Sequence, residues 1–131
     1  MSPIPNKVRR LVEQFRANTV GLDPAGPAGA LLPDFQSLAD DYRIPLRVFN
    51  GRQRAQADVF MFDRLRDETL THSTMIALDT AAEGANAAEK GDLWFFSRPS
   101  SYVDLSPLLA CSMALWCAYE TETLAPVVAI Y

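Results

Sequence analysis

Apolar side chains return every three or four positions at the start of the chain. Val8, Leu11, Val12 and Phe15 form one stripe of a helix, while Lys7, Arg9, Arg10, Glu13 and Arg16 fall on its other faces. A helix from about Lys7 to Ala17 is expected, with Asn6 as its N-cap. Residues 21–30, G-L-D-P-A-G-P-A-G-A, break the pattern. Three glycines and two prolines in ten residues predict an exposed loop, because proline lacks the amide donor that a helix interior or central strand needs. The periodicity resumes at Leu31-Leu32-Pro33-Asp34, which opens a second helix with Asp34 as N-cap. Phe35, Leu38 and Tyr42 are its stripe and Asp40 and Asp41 lie off it. Pro45 ends it by disfavouring a helical Ile44.

From Leu46 the pattern turns strand-like. Leu46-Arg47-Val48-Phe49 runs into Asn50-Gly51, a pair suited to a tight hairpin because both positions tolerate positive φ. The partner strand is expected in residues 55–62, where Ala57, Val59 and Met61 alternate with Asp58 and the phenylalanines. Val59, Phe62 and Leu65 also fit a helix face, so a strand is preferred and a helix stays open. Ser73 to Leu78 reads as a strand. Ala81 to Lys90, broken by Gly84 and Asn86, reads as a weak helix or a loop. Leu93-Trp94-Phe95-Phe96 is the most strand-like segment.

Ser106-Pro107 starts a helix that runs to about Glu120. Apart from Ser112 it has no polar side chain between Leu108 and Ala118. A helix apolar on all sides is buried on all sides. Residues 125–131, A-P-V-V-A-I-Y, are expected to finish as an edge strand. The elements together predict a single α+β domain over residues 1–131: helices packed on a small, mostly antiparallel sheet, with the C-terminal helix buried at its centre.

Composition agrees with a soluble globular domain, at 131 residues, 49% hydrophobic and 21% charged. No apolar run approaches the roughly 20 residues of a membrane helix, and the start of the chain lacks a signal-peptide pattern. No membrane is expected, and the cytoplasm is the expected location.

The only two cysteines, Cys111 and Cys117, fall in the apolar helix. Six residues along a helix leave their Cα atoms about 10 Å apart. That is too far for a disulfide or for one shared metal ion. They are expected to be small apolar packing groups. The single histidine, His72, cannot complete a zinc site with them. As a general base it would have Asp67, Glu68 or Asp79 to orient it and Ser73 as nucleophile. No G-x-S-x-G surrounds that serine, and a histidine without a catalytic role is expected. There is no P-loop, dinucleotide fingerprint or EF-hand loop. No catalytic residue, cofactor or metal is expected, and a small enzyme using His72 is the third functional reading.

Charge sharpens the picture. The chain carries net −4, but unevenly. Residues 43–66 hold six arginines against two aspartates, net +4, and residues 67–131 hold two basic against nine acidic groups, net −7. The acidic half suits a basic protein partner, with Asp79, Glu83, Glu89, Asp92 and Asp104 as candidate contact residues. In the alternative reading, the expected hairpin gathers Arg43, Arg47, Arg52 and Arg54 into a phosphate or nucleic-acid site. A nucleic-acid partner is disfavoured, because the chain is acidic overall.

In order, the elements include Leu32-Pro33, Asn50-Gly51, Ile76-Ala77-Leu78-Asp79 and Gly91-Asp92-Leu93-Trp94. This order, over residues 7–120, resembles the SUKH superfamily, whose bacterial members are often immunity proteins of contact-dependent toxins. The proline-rich insert at 21–30 and the tail after Glu120 have no counterpart in it. The resemblance implies an α+β protein that binds a toxin domain stoichiometrically, without catalysis.

Overall fold

The computed structural model describes residues 3–70, 75–90, 93–97, 101, 103–121 and 127–131. Its centre is the four-residue strand β1, Thr19–Leu22, buried at every position. β1 pairs in parallel with β2, Leu46–Val48, on one side and with β5, Val127–Ile130, on the other. Adjacent parallel strands need a crossover, and helices supply it on both faces. Helices α1, Ile4–Phe15, and α2, Leu32–Tyr42, cover one face. Val8, Val12, Phe35 and Leu38 pack there against Val20, Leu22, Leu46, Val128 and Ile130. The side chains of alternate residues point the other way. On that second face Gly21 and Ala129 are small, and Phe49 and Cys117 lie against them.

Cys117 belongs to α5, Ser106–Thr121. With α3, Gly51–Arg66, this helix joins the sheet to a second lobe. That lobe comprises α4, Ile76–Gly84, and an antiparallel pair, β3 Asn86–Lys90 and β4 Leu93–Ser97. Met61, Leu78, Ala81, Phe96, Leu105, Leu108 and Leu109 form its core. Among the described residues no helix is long and apolar enough to cross a membrane.

The α+β class and the buried C-terminal helix are as the sequence predicts, but the sheet differs. The larger sheet is wholly parallel, and among the described residues antiparallel pairing occurs only between β3 and β4. The expected hairpin at Asn50-Gly51 does not form. Asn50 is instead the N-cap of α3: Gln53 N–H donates to Asn50 Oδ1 at 2.8 Å, and Asn50 N–H donates to Gln53 Oε1 at 3.0 Å. This reciprocal capping box satisfies two amides at the helix start. Residues 55–62 are therefore helical. The expected loop at 21–30 begins two residues late, since Gly21 and Leu22 belong to β1 and Asp23 is buried. Residues 76–78, expected in a strand, open α4, where Leu78 and Ala81 turn inward at i, i+3. The first helix starts at Ile4, with Pro3 at the cap position expected for Asn6; Leu31 takes that position in α2 in place of Asp34.

Candidate protein-binding surface

α3 is apolar on two sides. Ala55, Ala57 and Met61 face the cores, and Asp58 lies among them with 0% of its surface exposed. On the outer side Val59, Phe62 and Leu65, three residues apart, remain 38%, 43% and 37% exposed. Helices of an isolated domain ordinarily bury a single stripe.

The inner side is held by ion pairs. One turn apart on α3, Arg54 and Asp58 grip the backbone of Phe96 in β4. Phe96 N–H donates to Asp58 Oδ2 at 3.0 Å, and Arg54 Nη2 donates to Phe96 O at 3.1 Å. Arg54 Nη1 also donates to Tyr131 Oη at 3.1 Å and lies 3.8 Å from Asp23 Oδ2. Its guanidinium sits over the rings of Phe95 and Tyr131. A cavity of about 470 Å³ borders it, with Asp104 and Val103 on the wall. Two carboxylates within 4 Å already compensate this one cation, so the cluster is not an anion receptor. Burial pushes the Asp58 carboxyl up to about 6, against the pull of the Arg54 charge. Its Oδ1 has no hydrogen-bond partner among the described residues.

The arginines of the alternative reading are dispersed. Arg47 makes a bidentate pair with Glu120 at 3.0 and 3.1 Å and stacks on Phe49. Arg54 is committed to the buried cluster, Arg43 is the left-handed C-cap of α2, and Arg52 stands exposed in the first turn of α3. Of the acidic candidates, Glu83 on α4 and Glu89 on β3 are exposed and Asp79 is half-buried. Asp104 is exposed and accepts from Ser106 N–H at 2.9 Å. Asp92 lies outside the described residues, as do His72 and Ser73 of the enzyme reading.

Neither cysteine is in a disulfide, and Cys117 is buried and Cys111 half-buried. Burial pushes the Cys117 thiol up to about 11 and raises that of Cys111 as well, so neither is an activated nucleophile at neutral pH. Among the described residues no group of three or more His, Cys, Asp or Glu is placed to hold a metal ion.

The outer side of α3 opens instead onto recesses. A groove of about 550 Å³ is lined by Phe62, Leu65 and Arg66 of α3, Ala82 of α4, Ala87 of β3 and Trp94 of β4. Phe62 leans on Trp94 at 5.3 Å between ring centroids, and Trp94 on Phe96 at 5.2 Å. Across α3, Phe60, Trp116 and Tyr119 form a second aromatic cluster, at 4.7–5.5 Å. Acids dominate the surrounding sequence, with six against two arginines over residues 63–89. The helical spacing of Val59, Phe62 and Leu65 is visible in the sequence. Its exposure is not, because it depends on which side of α3 the sheet and hairpin occupy.

Comparison of the chain with protein-family models, with curated proteins and with solved structures finds no match in any of the three.

Proposed function

We propose that this protein is a non-catalytic protein-binding domain whose docking surface is the outer side of α3 with Trp94 and the adjoining groove. The observation that carries the proposal is the exposed stripe Val59, Phe62 and Leu65 beside an apolar groove of about 550 Å³. Contiguous apolar surface of this kind marks interaction sites on soluble proteins. The acids around it, Asp67, Glu68, Glu83 and Glu89, all exposed, select a basic partner with an apolar ridge. In the setting that the SUKH resemblance implies, that partner is a toxin domain, neutralised in the cytoplasm by stoichiometric binding. The phosphate or nucleic-acid reading is weaker, because Arg47 and Arg54 are already paired with carboxylates.

An amphipathic helical peptide of leucine and lysine is a sufficient probe. Calorimetric titration is expected to give saturable 1:1 binding. Phe62→Glu is expected to weaken it by about tenfold or more, the cost of losing one aromatic anchor at an interface. The sign of this change separates the proposal from bare charge attraction. An added glutamate strengthens non-specific attraction to a cationic peptide, so unchanged or tighter binding by the variant contradicts the groove.

A further inference from the structure

The second recess on this surface has a chemistry of its own. A cavity of about 380 Å³ lies beside the outer stripe, lined by Gln56, Val59, Phe60 and Asp63 of α3, Trp94 of β4 and Trp116 of α5. We infer that this cavity is a receptor for a guanidinium group, the side chain of an arginine carried by the basic partner. As a partner side chain, that group belongs to the protein-binding function proposed above; the cavity's affinity for it is testable without the partner.

Three aromatic rings line the cavity, two of them indoles, the ring type that attracts cations most strongly. Among the described ring contacts none joins the two indoles to each other, and each leans on other rings. A carboxylate stands beside them. Asp63 Oδ1 lies 3.3 Å from Arg66 Nη2. The amide of Gln56 adds an acceptor. The ring of Phe60 already carries a guanidinium, that of Arg64 at 4.7 Å from the centroid. A guanidinium fits better than an ammonium. It is flat, weakly hydrated and presents a fork of donors to a carboxylate and an amide oxygen, whereas an ammonium holds its water more tightly. Asp63 on the wall supplies the charge complementarity.

Trp94 and Trp116 are the only tryptophans in the chain, and both line this cavity; because Trp94 also lines the groove, the response of Asp63→Asn assigns the emission change to the cavity. Titration with N-acetyl-arginine amide is expected to change that emission saturably, with a dissociation constant on the order of millimolar. N-acetyl-citrulline amide, which has the same shape but no charge, is expected to bind about tenfold more weakly. Asp63→Asn, checked for unchanged circular dichroism, is expected to weaken the arginine probe about three- to tenfold. Equal responses to the two probes, or no saturation with arginine, overturn the assignment. That failure leaves the groove intact if Phe62→Glu still weakens the amphipathic peptide. Loss of the Phe62 effect with the arginine response retained overturns the docking surface and leaves the cavity.

Discussion

Asp58 is the residue whose environment most departs from what its neighbours in sequence suggest. It sits in a stretch that reads as alternating, where an acid marks the wet side. The structure buries it completely and uses it to accept the Phe96 amide. An ionised carboxyl there has lost its hydration, and Arg54 at 3.4 Å and one backbone amide replace only part of it. The folded chain therefore binds the proton more tightly than the unfolded chain, about 6 against 3.8. Stability contributed by this group is fully present below the unfolded value and is lost as pH rises through about 6. That difference corresponds to roughly 3 kcal/mol. Urea unfolding at pH 4.5 and pH 7 is expected to show about 2 kcal/mol of this loss in the native protein, the rest falling below pH 4.5, and Asp58→Asn is expected to remove most of it. Parallel pH profiles for the two proteins would show that the carboxyl is not the source.

At the scale of elements, α3 shows how a strong local signal is overruled. Asn50-Gly51 favours a hairpin, but β2 lies in a parallel sheet, where a chain cannot turn straight back to its neighbour. Asparagine serves equally well as an N-cap, and Gln53 three residues on completes the box. Asn50→Ala is expected to lower unfolding free energy by about 1 kcal/mol, and Asn50→Asp to restore most of it. Chemical denaturation reads both, and an alanine cost near zero would mean the cap carries no load. The helices α1 and α2 and the apolar α5 were legible, as were β4 and β5, although Leu11 and Phe15 of the stripe expected for α1 stay exposed. β1 was not, because Gly21 and Leu22 adjoin a proline- and glycine-rich turn whose composition masks them. Nor was α4, where the apolar run Met75-Ile76-Ala77 lies at the surface and only Leu78 and Ala81 go inside. The site was half legible. The acidic surplus and the aromatic residues are plain in the sequence, but their meeting on one side of α3 depends on contacts between distant segments.

Across the whole molecule, charge and apolar surface act at different ranges. In the proposed function, the net −7 of residues 67–131 would attract a basic partner over about 10 Å at moderate salt, while the α3 stripe would act only on contact. Association with such a partner is therefore expected to slow about tenfold or more between 50 and 500 mM salt, with dissociation changing far less. Stopped-flow mixing measures both, and a salt-independent association rate removes steering from the account. The grip of Arg54 and Asp58 on Phe96 has a consequence for assembly of the chain itself. In a strand, one residue's amide and carbonyl point to the same edge, and those of the next point to the opposite edge. A hairpin that zipped up one residue out of step would turn the wrong groups towards α3 and cost Asp58 the amide it accepts from and Arg54 the carbonyl it donates to. The clasp thus ties the alignment of β4 on α3 to the pairing of two buried side chains.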